Sequence, residues 1–280
     1  MWRSRKGNLQ MKRIVILTGN ELRHQYFRLK VASAENISVL ASYCESDEKS
    51  LKNRTNQNPN SSDLQKLHAI AREQAERDFF EEAVGSIEDK SKFRVIPKGS
   101  INDENIVKEI KALSPDLLVC YGSSLIKSSL LNDYAGRFLN AHIGLSPYYR
   151  GSGTNVWPLI NGEPFMVGAT FMYIDAGIDT GKIIHQIRAE FFIGDSPHSV
   201  GNRLIKKMTA TYCEIIRKFD SLTDQVQPVN EGSLYLMKHF DSDACDRLYE
   251  MCQSEMIYNY LTRPIDWKYP IIVQNLFLEK

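Results

Sequence analysis

The sequence predicts an α/β fold organised on a mostly parallel, doubly wound sheet, and three observations carry that prediction. Apolar runs of strand length alternate with segments of helical periodicity, the runs read as buried strands, and the turns between them hold Gly, Asn and Pro. At 280 residues and 42% apolar composition the chain buries a substantial core, enough for one large domain with an appendage. Lys plus Arg number 35 against 34 Asp plus Glu, a formal net charge of +1 without a long basic run, so the charge points to no nucleic-acid partner. The five cysteines (Cys44, Cys120, Cys213, Cys245 and Cys252) lack a paired zinc spacing and suit reduced thiols. No apolar stretch reaches membrane-spanning length and the opening residues lack a signal-peptide core, so a soluble cytoplasmic protein with no membrane partner is expected.

Taken in order, residues 1–10 are polar and unpatterned and read as a disordered extension. Arg13-Ile14-Val15-Ile16-Leu17 is a buried-type strand, Thr18-Gly19-Asn20 a turn, and Glu21 through Leu29 a helix whose first N–H groups are free to meet an anion. Ile37–Tyr43 is the second strand. The Asn-rich stretch 53–62 reads as a loop, and Leu64–Val84 as a charged helix lying beside the cleft or in solvent, with His68 on its surface. Phe93–Pro97 is a third strand, and Asn102-Asp103-Glu104 opens a helix with Ile106, Val107, Ile110 and Leu113 on one face, stopped by Pro115. Asp116–Cys120 is a central strand ending at Tyr121-Gly122, and in such sheets sites collect at the carboxyl ends of strands. Residues 181–192 make a further strand with His185 packed on it, and Ser199–Phe219 a long amphipathic helix. Beyond it, 225–240 reads as a strand or hairpin, 241–261 as a helix, and 263–270 as an aromatic loop containing Pro264, Trp267 and Tyr269.

The chemistry concentrates in residues 138–184. Asn140 and His142, two apart on a strand opening at Phe138, share one surface. A loop rich in Gly, Ser, Pro and Tyr follows, in which Tyr149 and Arg150 offer stacking and charge beside a reacting centre, or Arg150 pairs with a structural carboxylate. Val167–Ile174 is a second strand running into Asp175-Ala176-Gly177-Ile178-Asp179-Thr180-Gly181, a tight loop that brings a carboxylate, Asp179, against a facing strand end. These groups suit acyl transfer to an amine. An amide and a protonated imidazole stabilise charge on a carbonyl oxygen, roughly 3 kcal/mol per donor, and a carboxylate orients the imidazole and helps take the amine proton.

Asn140-x-His142, Leu145-x-Pro147-x-Tyr149-Arg150-Gly151, Trp157-Pro158-Leu159-Ile160-Asn161-Gly162 and Asp175-x-Gly177-Ile178-Asp179-Thr180-Gly181 stand together in an order and spacing that resemble the folate-dependent formyltransferases. That family includes methionyl-tRNA, glycinamide ribonucleotide and nucleotide-sugar N-formyltransferases, and the likeness runs from about Met11 to about Phe219. The resemblance implies a Rossmann-like catalytic domain over 11–220 with an insertion at about 47–90, followed by a small appendage over 221–280. It implies 10-formyltetrahydrofolate as formyl donor, no metal, and Asn140, His142 and Asp179 as catalytic residues. Tyr121, Gly122, Leu125 and Ile126 fall in the segment similar to the family's pterin-binding loop, with Asp175 and Gly177 as further folate contacts. Gly19 and Asn20 match the turn that holds a phosphate in purine-pathway relatives, and with Tyr149 and Arg150 are the acceptor-site candidates. Two departures stand out: Ile143-Gly144 follow the catalytic His where the family often has Pro, and Met172 replaces a second His found in several members.

The function expected is transfer of a formyl group to a primary amine of a small acceptor, a nucleotide-linked amino sugar. The alternatives are methionyl-tRNA or glycinamide ribonucleotide formyltransferase, or formyltetrahydrofolate hydrolase. Too few residues follow Asp220 for the barrel with which methionyl-tRNA formyltransferases hold RNA, which sets the expectation against transfer RNA. A metal hydrolase of His142, Asp179 and His185 finds no close ligand spacing, and a silent binding module is separated only by assay. The appendage either forms a homodimer interface or packs back on the sheet.

Overall fold

The computed structural model describes residues 10–228, 231–263 and 267–278. Along β1 (Lys12–Gly19) successive side chains enter opposite cores, Ile14 and Ile16 into one and Val15 and Leu17 into the other, all fully buried. That is what a central parallel strand requires. Helix α1 (Leu22–Ala32) returns the chain to β2 (Ile37–Glu45), which pairs parallel to β1.

Two helices follow, α2 (Leu51–Gln57) and α3 (Asp63–Ser86). The stretch from Asn53, expected as a loop, is therefore helical as far as Gln57. Ser50 caps it by accepting from the Asn53 N–H at 3.3 Å, Thr55 is buried, and Lys52 pairs with Glu73 of α3. Ser62 and Gln65 form a capping box that starts α3.

The parallel half is completed by β3 (Phe93–Ile96), α4 (Glu104–Leu113), β4 (Leu117–Tyr121), α5 (Ser128–Leu131) and β5 (Phe138–His142). Then come β6 (Tyr149–Gly151), α6 (Trp157–Ile160), β7 (Gly168–Tyr173), β8 (Ile183–Arg188) and α7 (Pro197–Arg217). The main sheet has the order β3-β2-β1-β4-β5-β7-β8, with the first five strands parallel and β7 antiparallel to both neighbours. One face carries Phe27 of α1, Phe80 of α3 and Tyr212 of α7; the other carries Ile106, Val107 and Ile110 of α4. The chain reverses its winding between β1 and β4, and there the strand ends Gly19 and Tyr121 open the crevice that such a switch point creates.

After α7 the chain forms β9 (Ser233–Tyr235), α8 (Ser242–Gln253) and α9 (Met256–Thr262). The single helix expected over 241–261 breaks because Ser254 is extended and its hydroxyl both donates to the Met251 carbonyl and accepts from the Met256 N–H. Strand β9 pairs parallel with β6, a contact between segments far apart in sequence. Trp267 and Tyr269 pack on Phe165, while Pro264 lies outside the described residues, as does all of the opening stretch except Gln10. Among the described residues no helix is long and apolar enough to cross a membrane.

Candidate active site

Asn140 and His142, alternate residues of β5, meet one carboxylate. Asp179 Oδ1 accepts from Asn140 Nδ2 at 3.4 Å, and its Oδ2 lies 3.3 Å from His142 Nδ1 and accepts from the Gly151 N–H at 2.9 Å. The second imidazole nitrogen, Nε2, donates to the Tyr149 carbonyl at 2.9 Å and lies 3.3 Å from Thr154 Oγ1. Thr154 in turn donates to the Ile143 carbonyl, so the ring is fixed from both edges. Both ring nitrogens thus face oxygen atoms. Gly144 leaves no room for a side chain: a Cβ there would sit 2.8 Å from Thr154 Cβ and against the His142 ring.

The loop after β7 holds Asp179 in a left-handed conformation, φ +54°, that few non-glycine residues adopt. Two contacts fix it. Asp175 Oδ1 accepts from the Gly177 N–H at 3.0 Å and from Thr180 Oγ1 at 2.7 Å, closing the loop on itself. Gln227, buried and contributed by the segment beyond α7, donates from Nε2 to the carbonyls of Asp179 and Gly181 at 3.0 and 2.6 Å.

His142 lines a cavity of about 1060 Å³ that runs along the carboxyl ends of β1 and β4. Its walls include α2 and α3, so the insertion borders the cleft and is not a solvated arm. His68 is buried, against the surface position expected, because its ring packs on His198 at 4.7 Å and on Phe240 and bonds Tyr249. Burial, joined by His198 and Arg72, pushes the His68 pKa down to about 3; burial and Arg72 push that of His198 down to about 4. Residues 236–242 close the remaining side.

Residues 11–216 match the family model described as Formyl transferase. The chain belongs to this family. The curated methionyl-tRNA formyltransferase of Thermodesulfovibrio yellowstonii is 36% identical over 118 residues, 41% of this chain and 36% of that protein. Such matches span half of the relatives' length or less. Among solved structures, a 4-N formyltransferase from Francisella tularensis is similar with TM-score 0.54 and 20% identity over 86% of this chain and 87% of that one. Glycinamide ribonucleotide transformylase 1 from Symbiobacterium toebii is similar with TM-score 0.52 and 18% identity over 78% and 95%. Both share the fold of this chain.

Within the formyl transferase domain the remaining candidates separate. Tyr121 is buried against His24 and Phe27, and Gly122 lines the cavity. The loop beyond them is clamped from outside: Ser124 N–H donates to Glu45 Oε2 at 2.6 Å, and Asn102 bonds the Leu125 carbonyl at 2.9 Å and the Lys127 N–H at 2.8 Å. The clamp leaves the Leu125 N–H and both backbone polar groups of Ile126 without a partner among the described residues. Tyr149 departs from the expected stacking surface, because its ring is buried, stacked on Tyr235, and its hydroxyl is engaged by Glu163 and Asn161; it serves the site through its carbonyl. Arg150 projects from the next strand position, half-buried, with no carboxylate partner among the described residues. Gly19 and Asn20 line the cavity, and His185 is packed on Phe171 with Nδ1 accepting from the Asn275 N–H, away from His142. Among the described residues no group of three or more His, Cys, Asp or Glu is placed to hold a metal.

Proposed function

We propose that this chain is an N-formyltransferase that moves the formyl group of 10-formyltetrahydrofolate to the primary amine of a small acceptor, a nucleotide-linked amino sugar. The observation that carries it is the convergence of an amide, an imidazole and a carboxylate, with the imidazole at the wall of a large cavity. The folate supplies an activated formyl carbon when bound. His142 and Asn140 present donors where negative charge builds on the formyl oxygen, and His142 gives up its bond to the Tyr149 carbonyl as it does so. Asp179 keeps the ring in register through Nδ1 and takes the proton that the amine loses, directly or through water, as the amine bonds the formyl carbon; the carbon's bond to the folate nitrogen then breaks and that nitrogen leaves carrying a proton. The unpaired backbone of 125–126 supports pterin binding on the donor side. On the acceptor side the cavity volume exceeds the roughly 300–1,000 Å³ of ordinary small-ligand sites and suits a two-part molecule. The likeness to methionyl-tRNA formyltransferases favours a second reading, an aminoacyl-tRNA acceptor.

The test incubates the protein with formyl-folate and a panel of nucleotide-linked amino sugars, with methionyl-tRNA and glycinamide ribonucleotide alongside, and follows the mass for one added formyl group. A sugar is expected to gain the group, and His142→Ala and Asp179→Asn are each expected to lower the rate about 100-fold or more while the circular dichroism stays native. Asn tolerates the left-handed backbone at 179, so that variant isolates the charge. Full activity in either variant, or free formate in place of formylated amine, overturns the proposal; formylation of methionyl-tRNA alone selects the second reading.

A further inference from the structure

The turn before α1 is poorly suited to an anion in this chain. Glu21 stands there; burial raises its pKa, but Arg23, His24 and Arg72 outweigh burial and hold it down to about 2. Arg23 is used up as well, donating to Glu21 and, at 2.6 Å, to Glu76. A phosphate placed at Gly19 and Asn20 would therefore meet a fixed carboxylate whose nearest cation is already taken.

Two of the cavity's cations stand on the insertion. Arg54 of α2 is anchored through Nε, which donates to the Lys49 carbonyl at 3.0 Å; Arg72 of α3 is anchored through Nε to Glu76 Oε1 at 3.4 Å. Neither terminal nitrogen of either guanidinium has a partner among the described residues. Both side chains are half-buried and line the cavity that reaches His142. Helices α2 and α3 are joined by the Lys52–Glu73 pair, so both cations stand on one wall of the cavity, and burial and then the charge of Arg72 lower the pKa of Arg54. Two neighbouring guanidinium forks, each held at its stem and open at its tip, are matched to the oxygens of one bridging oxyanion.

We infer that Arg54 and Arg72 form a subsite for a phosphate ester or diphosphate of the acceptor, in the same cavity that His142 lines. The inference rests on reading that cavity as the acceptor site. It relocates the anion from the helix start, where purine-pathway relatives hold it, to helices inserted between β2 and β3.

Isothermal titration with inorganic diphosphate at low ionic strength tests it, on the wild type, Arg54→Gln, Arg72→Gln, Arg54→Lys and His142→Ala, with a thermal melt of each sample. One site is expected on the wild type and on His142→Ala, weakened at least tenfold by either Gln variant and partly by Lys, which keeps the charge and loses the fork. No binding to the wild type, or equal binding to natively melting Gln variants, overturns it. Because His142→Ala abolishes transfer and keeps the subsite, diphosphate binding and formyl transfer fail independently. Diphosphate bound without any sugar formylated would leave the subsite standing and sink the choice of acceptor.

Discussion

At the scale of single residues, the site depends on groups that position others as much as on those that react. Gln227 touches no reacting atom, yet its amide holds the carbonyls on either side of Thr180 and so keeps Asp179 in a backbone conformation that costs about 1–3 kcal/mol when unsupported. Gln227→Ala is expected to lower kcat about tenfold or more with little change in the folate KM, since a small displacement of Asp179 misaligns His142 without closing the cleft. Steady-state kinetics decide it; a raised KM at constant kcat would assign Gln227 to binding instead. Asn140 and His142 were legible because two residues on one strand share a face whatever the tertiary structure, and Asp179 because Gly and Asp cluster around it. Gln227 was invisible, being an ordinary polar residue whose partners lie about 48 positions away. Thr154 carried a faint signal in its Gly-Ser-Gly-Thr loop. His68 misled, since the polar face of α3 is covered by His198, Phe240 and Tyr249, which no local pattern reveals.

At the scale of elements, β6 and β9 are three residues each and stabilise one another only as a pair. Their register joins Tyr149 to Ser233 and Gly151 to Tyr235, and the Ser152 N–H donates to the Tyr235 carbonyl at 2.7 Å. The ring of Tyr235 lies between Tyr149 and Trp157, at 5.6 and 4.5 Å. Gly151, at φ +93°, lies so close to the Tyr235 carbonyl that any Cβ would overlap it. Gly151→Ala should therefore unpair the two strands, cost about 1–3 kcal/mol in urea denaturation and withdraw the N–H that Asp179 accepts, lowering kcat in the same variant. An unchanged midpoint with native kinetics would mean that β9 contributes nothing. Sequence periodicity finds the long elements β1, α3 and α7 because each repeats its own signal. It misses α2, which exists because Lys52 holds it on Glu73, and it reads β9 only as part of a strand or hairpin over 225–240, because the Tyr149 and Trp157 rings that fix it lie far away in sequence.

At the scale of the whole molecule, four buried histidines set the response to acid, among them His24, whose pKa burial and then the Arg23 charge push well down. His185 is pushed down to about 4 by burial, like His198, and His68 lower still, whereas unfolded histidine titrates near 6.5. Between those values the unfolded chain binds protons that the folded one refuses, so stability is complete above pH 6.5 and falls as the pH drops toward 4. The slope approaches about 1.4 kcal/mol per pH unit for each histidine, and a loss of a few kcal/mol by pH 5 is expected. Urea midpoints at pH 7 and pH 5 measure it, and His198→Asn should flatten the curve; a midpoint constant across that window would contradict the assignment. The pairing of β6 with β9 reaches further. The match to the family model ends at residue 216, while the props beneath the Asp179 loop stand at Gln227 and residues 233–235. A hybrid that kept the inherited part and borrowed another tail would rest its chemistry on a foreign support, so drift in the tail and drift in the loop should be coupled over generations.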